Sequence, residues 1–389
     1  MARTPKPWFW KARKGWYVTI DGQRIFLSEN KSEAKTRFHE LMASPQRRTV
    51  RCDSVAKICD LYLEWCQKHR ATATYENYRY RLERFVRRYP KLRTHELRPF
   101  HVQEWIDSMP DLASGSHRNY VRSIKRTCRW AKKQGYIDRN PIEDMEEPRC
   151  GRRETVVSQQ QFDELLAAIP CKEFRDLLIV TWETGCRPQE SLRVQARHVQ
   201  VKQKRWVFPD SEGKGHIGRA VYMTDRAMEI TLRYMRRFPT GNLFRNSRDI
   251  PWETQSVNCA FIRTQQKMGR EIVKAQGLEP SDDEIWEFTK QLSPTCTKKG
   301  QLITKTERQL YVEARSKLRL RLAEQFAPKY SLYVLRHSWA THALERGVDA
   351  LTVAVLMGHK DPSTLAKVYQ HLAHNPEYLA EQARKAMGN

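Results

Sequence analysis

Four short sequences, spread between residues 184 and 372, constrain the fold of this chain more than any other feature. The first is Thr184–Glu190, and the second is the pair Arg336–His337. Met357–His359 and Tyr369–Leu372 complete the set, close to the end of the chain. Arginine side chains bind phosphate oxygens through two parallel hydrogen bonds, and a tyrosine oxygen can attack phosphorus. We therefore expect one domain that brings these sequences together around an anionic ligand.

Composition also points to an anionic partner. The 389 residues include 70 Lys and Arg against 45 Asp and Glu, which gives a formal net charge of +25. Ribosomal and membrane-surface proteins can be equally basic, but the charges here lie in segments that also carry aromatic and aliphatic residues. The chain is therefore predicted to be a folded basic protein, long enough for two or three domains.

Neither a membrane protein nor a disulfide scaffold is expected. No apolar run approaches the ~20 residues that span a bilayer, and Met1–Trp10 lacks the apolar core of a signal peptide. The nine cysteines are scattered and form no CxxC pair, which argues against disulfides and against zinc. These features indicate a cytosolic protein with reduced thiols and no membrane partner.

Residues 1–46 are predicted to form a small sheet with one helix. Trp16–Ile20 alternates as a strand does, Asp21–Gly22 is a hairpin turn signal, and Arg24–Leu27 is the return strand. Basic residues stand beside the aromatic ones, which favours a DNA-binding unit: Lys11, Arg13, Lys14 and Arg24. A hairpin extension that only stabilises the fold is the alternative.

Residues 52–147 are predicted to be helical throughout. The last of four amphipathic helices runs over Ser114–Gly135. Its outer positions form a basic stripe of Arg118, Arg122, Lys125, Arg126 and Arg129. A charged helix face is usually just solvated, but this one has a single sign and no interleaved Glu for pairing. We therefore expect phosphate contacts that position the protein on a nucleic acid without reading its sequence.

Residues 155–389 are predicted to form a mostly helical domain with a small antiparallel sheet. Arg205–Phe208 and Arg219–Tyr222 are the expected strands, with Lys214 in the glycine-flanked turn between them. A polar insertion at about 269–321 shows no recognisable chemistry and is expected to form surface helices. The fold class is thus mainly α, with small sheets in the first and last domains.

The order TGxRPxE, RH, GH and YxH resembles that of the tyrosine recombinases, or phage-type integrases. Residues 1–46, 52–147 and 155–389 are similar to the arm-binding, core-binding and catalytic domains of that family. The resemblance implies a site-specific DNA recombinase that integrates or excises a mobile element. It would cleave and rejoin strands through a 3′-phosphotyrosine intermediate, without metal, ATP or another cofactor.

The resemblance also assigns roles to the four sequences. Arg187 and Arg336 would hold the scissile phosphate, and Tyr369 would be the nucleophile in preference to Tyr378. His359 would contact the phosphate or act as a base toward the tyrosine. Tyr333 stands where the family usually has a histidine, so that HxxR becomes YxxR; its phenol can still donate one hydrogen bond.

Lys214 matches the general-acid lysine of the family, which protonates the departing 5′-oxygen. Lys202 and Lys204 are the alternatives for this role. Glu190, one helical turn from Arg187, would either orient that arginine or be an ordinary helix residue. No carboxylate cluster typical of a two-metal nuclease is visible in the sequence, so charge stabilisation is expected from cationic side chains.

The implied partners are double-stranded DNA, a homo-tetramer assembled on it and possible DNA-bending accessory proteins, in a prokaryotic cytoplasm. Two other functions stay open. A type IB topoisomerase makes the same cut but reseals the same strand. A DNA-binding regulator that has lost catalysis would keep the fold, and only the tyrosine at position 333 points that way.

Overall fold

The computed structural model describes residues 6–20, 23–43, 53–151, 155–213, 217–298, 301–359 and 384. The chain divides into two compact units, Met1–Arg153 and Glu154–Asn389. Within the described residues, helices predominate and three small antiparallel sheets accompany them. The predicted fold class, mainly α with small sheets, is confirmed. None of the described helices combines the length and the apolar character that crossing a bilayer requires.

The first unit begins with a three-stranded sheet and a helix. The strands are β1 (Trp8–Trp10), β2 (Gly15–Ile20) and β3 (Gln23–Ser28), and helix α1 (Lys31–Ala43) follows. Alternation along β2 and β3 turns Val18 and Leu27 inward, where they pack with Ala34 of α1. The predicted hairpin and helix are confirmed, while the turn at Asp21–Gly22 lies outside the described residues.

Four helices form the rest of the first unit: α2 (Val55–His69), α3 (Thr72–Arg88), α4 (Pro99–Asp107) and α5 (Ser114–Gln134). Local chemistry sets their ends. The Ser54 hydroxyl caps α2, Pro99 occupies the first turn of α4, and Gly135 ends α5 at φ +80°. The helices share an apolar cluster separate from that of the N-terminal sheet. The further division of this unit into two domains stays a prediction.

The second unit places a small sheet among helices. It begins with α6 (Gln159–Ala168), α7 (Lys172–Thr184) and α8 (Pro188–Arg193). Strands β4 (Val199–Gln200), β5 (Arg205–Phe208) and β6 (Arg219–Tyr222) pair in that order, and α9 (Asp225–Arg237) follows. The bounds of β5 and β6 agree with the prediction. Strand β4 was not predicted, because two residues are too few to show alternation.

The remaining elements include the predicted insertion. They are α10 (Thr254–Ala275), α11 (Asp282–Thr289), β7 (Thr295–Lys298), β8 (Gln301–Thr304), α12 (Glu307–Phe326), α13 (Leu332–Glu345) and α14 (Ala350–Met357). The expectation of helices alone for 269–321 is wrong, because β7 and β8 form a hairpin. A Cβ at Gly269 would lie 2.0 Å from the Ala323 carbonyl oxygen, so α10 and α12 cross with their backbones in close approach.

Candidate active site

Three of the four predicted sequences meet at the C-terminus of α14. Gly358 adopts φ +67° and ends this helix, so carbonyl groups in its last turn point toward the neighbouring elements. The Arg336 guanidinium donates to Met357 O at 2.6 Å, and the Arg187 guanidinium donates to Gly358 O. The negative end of the helix therefore holds the two arginines that were predicted to bind phosphate.

Arg336, on α13, is a buried cation with only 3 % of its surface exposed. Besides Met357 O, it donates to Gly185 O at 2.7 Å, which ties it to the end of α7. Burial, aided by the positive charge of Arg187, lowers the pKa of Arg336 to about 10. The group still stays charged at neutral pH, so the interior of the site carries a fixed positive charge.

Arg187 is held by its neighbour one turn along α8. The Glu190 carboxylate accepts from the Arg187 backbone N–H at 2.8 Å and from its guanidinium at 2.9 Å. Pro188 occupies the first turn of α8, where its missing N–H costs nothing. Glu190 thus orients both the backbone and the side chain of Arg187, the geometry expected of an orienting carboxylate.

A third arginine joins the site and was not predicted. Arg219 opens β6; it donates to Val355 O at 3.2 Å, to Leu356 O, and to the Glu190 carboxylate at 3.3 Å. Burial lowers its pKa, and Glu190 opposes that shift. The alternation of residues along β6 could have predicted that Arg219 points into the domain, but the sequence analysis did not use it. Arg219 lies two residues before the buried Val221 and therefore faces the same side of the strand.

His359 lies against this cluster as a neutral imidazole. Burial and, in decreasing order, the charges of Arg336, Arg187 and Arg219 together lower its pKa to about 4. Among the described residues, its Nδ1 is buried and finds no hydrogen-bond partner. A buried ring nitrogen in that state can bind a ligand group or a proton donor.

Tyr333 lies at the edge of the site. It is 57 % exposed, in the first turn of α13, one turn before Arg336. Its ring centre is 6.0 Å from that of His337, the residue after Arg336. Within the described residues, no hydrogen bond joins Tyr333 to the arginine cluster, so only a ligand in the site would connect the two.

Lys214 and Tyr369 both lie outside the described residues, and their roles stay predictions. The described flank of the β5–β6 turn is nevertheless anchored: the Glu212 carboxylate lies 2.8 Å from Arg197 and 3.1 Å from His198 Nε2. Of the alternatives to Lys214, Lys204 forms an ion pair with Asp225.

The basic stripe of α5 contacts the segment that follows the helix. Lys125 donates to Met145 O at 2.6 Å, and Arg118 donates to Pro148 O at 2.9 Å. Both are half-buried, and both hold backbone rather than facing solvent. The sequence prediction treated this stripe as an open face, because contacts with a segment beyond the helix cannot be inferred from helical periodicity.

The other three residues of the stripe are exposed. Arg122 pairs with Glu147 at 2.7 Å, and Arg126 donates to the Tyr78 hydroxyl at 3.1 Å. Arg129 lies one turn further along the same helix. An exposed ion pair contributes at most ~1 kcal/mol, so Arg122 can exchange Glu147 for another anion at small cost.

The N-terminal sheet has an aromatic outer face. Tyr17 lies between Trp8 and Phe26 on the neighbouring strands, with ring centres 5.8 and 5.3 Å away. The Arg13 and Arg24 guanidinium groups each lie 4.9 Å from the Trp10 ring centre. This face therefore presents positive charge on a platform of rings.

The arrangement at α14 is suited to a phosphodiester. Two of the three guanidinium groups pair with the Glu190 carboxylate and the third donates to Met357 O, which leaves a net positive charge in a partly water-excluded site. Each guanidinium carries five N–H donors in a planar fork, so donors remain after the observed hydrogen bonds. Such a site can stabilise negative charge that builds up on phosphoryl oxygens.

Comparison with known proteins shows similarity to one family. The model for the phage integrase family matches residues 287–375. The tyrosine recombinase XerD of Staphylococcus epidermidis is 22% identical over 282 residues, which span 70% of this chain and 77% of the relative.

Two solved structures have a similar fold. The Tn1549 transposon integrase in complex with transposon right end DNA aligns with a TM-score of 0.57 at 13% identity, over 85% of this chain and 99% of that one. A lambda integrase tetramer bound to a Holliday junction aligns with a TM-score of 0.54 at 12% identity, over 93% and 97%.

Proposed function

We propose that this chain, which is similar to the tyrosine recombinases, or phage integrases, cleaves and rejoins DNA strands at a specific site through a covalent tyrosine–phosphate intermediate. The observation that carries this proposal is the convergence of Arg187 and Arg336 on the C-terminus of α14, with the neutral His359 beside them. These residues derive from three of the four sequences that characterise the family.

In the proposed reaction, Arg187 and Arg336 bind the non-bridging oxygens of the scissile phosphate. The Tyr369 oxygen attacks phosphorus and forms the new P–O bond, while the bond to the 5′-oxygen breaks. Lys214 gives its proton to that leaving oxygen, and His359 contacts the phosphate or takes the tyrosine proton. A 5′-hydroxyl of the partner strand then attacks the phosphotyrosine and releases Tyr369.

This chemistry requires neither metal nor ATP, because the energy of the broken bond is retained in the phosphotyrosine. Tyr333 can donate one hydrogen bond to the phosphate from the edge of the site, in the place of the usual histidine. The buried arginines, and not Tyr333, would supply the charge. The substitution is therefore compatible with catalysis and does not favour a regulator that has lost it.

We further propose that double-stranded DNA is the partner, bound by several copies of the chain. The solved relatives include a DNA-bound transposon integrase and a tetramer on a Holliday junction. A homo-tetramer on DNA, helped by a DNA-bending protein in a prokaryotic cytoplasm, is the corresponding assembly here. A function in integrating or excising a mobile element follows from the same relatives.

The α5 stripe is proposed to contact DNA phosphates through its exposed members. Arg122, Arg126 and Arg129 are accessible, and an exposed partner such as Glu147 can be exchanged for a phosphate. Lys125 and Arg118 would instead keep the 145–150 segment on the helix. The affinity for DNA and its dependence on salt concentration should therefore both fall more in Arg122→Gln than in Lys125→Gln.

Residues 1–46 are proposed to be a second DNA-binding unit. Arg13 and Arg24 on the aromatic outer face support this function over a purely stabilising one. Such a unit would let one protomer hold two DNA sequences at once, which raises the effective local concentration without new contacts at the cut site.

Trapping of the covalent intermediate tests the proposed reaction. Duplexes selected for binding from a random pool are nicked near the candidate site, so that the cleaved fragment diffuses away and the adduct accumulates. Tyr369→Phe should abolish the adduct on a denaturing gel and leave binding nearly unchanged, with Tyr378→Phe as the matched control. If adducts form in Tyr369→Phe but not in Tyr378→Phe, the nucleophile is Tyr378 and not Tyr369.

A supercoiled plasmid and pairs of intact duplexes that contain the selected site separate the proposal from a type IB topoisomerase. A recombinase should join strands between two duplexes, whereas a topoisomerase should relax supercoils and produce no exchanged products. If the wild-type protein binds DNA but forms no adduct on any selected duplex, it is a DNA-binding protein without strand cleavage.

A further inference from the structure

Four consecutive carbonyl groups at the end of α14 are shared among three arginines. Arg219 takes those of Val355 and Leu356, Arg336 takes that of Met357, and Arg187 takes that of Gly358. Two of these arginines come from the family sequences, and the third does not. Residues 355–358 therefore connect the position of Arg219 to the positions of the two phosphate-binding arginines.

A second connection runs through Glu190. Its Oε1 lies 2.9 Å from the Arg187 guanidinium and 3.3 Å from that of Arg219, so one oxygen is shared between two cations. Without Arg219, this oxygen would interact with Arg187 alone and draw its guanidinium toward the carboxylate. The strength and direction of the Arg187–Glu190 pair thus depend on Arg219.

Packing fixes Arg219 in this place. Its side chain is 9% exposed. A Cβ at Gly358 would lie 2.9 Å from its Cδ and Nε, so the guanidinium stem fills the space that the glycine leaves. A flexible surface arginine would pair with Glu190 only part of the time. This arginine is confined, and ordering it costs no further entropy when DNA binds.

Arg219 also belongs to the strand that follows Lys214. Strand β6 begins at Arg219 and pairs with β5, and the turn between the two strands contains the proposed general acid. The contacts of Arg219 with residues 355–356 therefore attach the base of that hairpin to the end of α14. This attachment involves backbone and buried side chains, not a solvent-exposed ion pair.

We propose that Arg219 is a positioning residue for strand cleavage, which fixes Arg187 through the shared Glu190 and holds residues 355–358 in place without contacting the phosphate itself. The proposal rests on the proposed function. It concerns the rate of the chemical step and not the affinity for DNA. A misplacement of ~1 Å at a catalytic group can cost about a hundredfold in rate.

The test compares variants in single-turnover adduct formation on nicked duplexes, with DNA affinity measured on the same duplexes. Arg219→Met keeps the length of the stem and removes the charge. We expect its adduct rate to fall by about tenfold to a hundredfold while Kd changes by less than about threefold. Arg219→Lys should recover part of the rate, because an ammonium keeps the charge but cannot span Glu190 and two carbonyls.

Arg205→Met is the matched control. Arg205 lies on the neighbouring strand β5, where it donates to Gln200 at 2.8 Å and to the Tyr222 hydroxyl at 3.3 Å, away from Glu190. It should cleave at the wild-type rate. If a thermal melt shows that Arg219→Met is not folded, Arg219→Lys is used in its place. The expected result is then a reduced adduct rate at unchanged DNA affinity.

A double-mutant cycle with Glu190→Gln tests the shared oxygen directly. If Arg219 acts through Glu190, then Glu190→Gln should change the rate less in the Arg219→Met background than in the wild type. Fully additive effects would overturn the proposal, as would a wild-type rate in Arg219→Met. A loss of affinity equal to the loss of rate would make Arg219 a DNA contact instead. Absence of adduct in the wild type would refute the proposed function as well.

Discussion

Gly185 joins the end of α7 to the buried Arg336, and an added methyl group there should damage both stability and cleavage. Gly185 adopts φ +58°, a backbone conformation that residues with a side chain rarely adopt. Its carbonyl accepts the hydrogen bond from Arg336. A Cβ would lie 2.5 Å from two atoms of the Trp339 ring. Gly185→Ala therefore adds backbone strain and a steric overlap at the same point.

The two costs can be estimated separately. A left-handed alanine costs about 1–2 kcal/mol. Overpacking against a ring that must move adds about 1–3 kcal/mol. The free energy of unfolding should thus fall by about 2–5 kcal/mol, and the melting temperature by roughly 4–20 °C for a unit of this size. Displacement of the Gly185 carbonyl should also slow adduct formation by more than about tenfold.

Gly277→Ala separates the two effects. Gly277 has φ +65°, but a Cβ there would meet nothing within 4 Å. This variant should lose only the strain of about 1–2 kcal/mol and keep the wild-type rate of adduct formation. Thermal melts and single-turnover trapping on both variants provide the comparison. Equal destabilisation in the two variants, with full cleavage by Gly185→Ala, would show that Trp339 adapts and that the Gly185 carbonyl does not position Arg336.

Three further predictions concern protonation, the general acid and the N-terminal unit. In an NMR titration, His359 should stay neutral from about pH 8 down to about pH 5, because its folded pKa of about 4 lies below the unfolded value of ~6.5. The neutral imidazole therefore contributes to the free energy of unfolding above pH ~6.5, and this contribution is lost as the pH falls toward 4. We expect about 1–2 kcal/mol after allowance for partial exposure, and no such pH dependence in His359→Gln. Lys214→Ala should slow cleavage strongly but be partly rescued by a 5′-thiol leaving group, which needs no proton; equal defects on both substrates would exclude a proton donor, and chelators should change neither rate. Deletion of residues 1–46 should spare cleavage of a short duplex, remove one of two footprints and lower the log–log salt slope by about 0.9 per lost phosphate contact, whereas an unchanged footprint would reduce the segment to a structural extension.

Local signals in the sequence predicted the elements of the fold well. Strands β5 and β6 have the predicted bounds, and α5 spans the predicted helix and ends at Gly135. Capping, alternation and helical periodicity depend on residues a few positions apart, which is why they can be read without a structure. The similarity to the tyrosine recombinase family, inferred from the order of four short sequences, is confirmed by the comparisons.

The surroundings of these elements were harder to predict. The β7–β8 hairpin interrupts a segment that was expected to be helical. The α5 stripe holds the 145–150 segment through Lys125 and Arg118, although periodicity alone indicated a free basic face. At the stripe, the deciding contacts are made by residues 20 or more positions along the chain, outside the window in which a helical pattern is read.

In the candidate site, too, local sequence predicted some members and distant contacts decided the others. The sequence by itself determined that Arg187, Arg336 and His359 belong to one site, because each lies in a short recognisable sequence. Only the tertiary structure determined that Arg219 joins them, since its partners are Glu190 and the carbonyl groups of residues 355–356, which are distant along the chain. A buried arginine must satisfy its donors wherever the packing places acceptors, and no local pattern records where those acceptors lie.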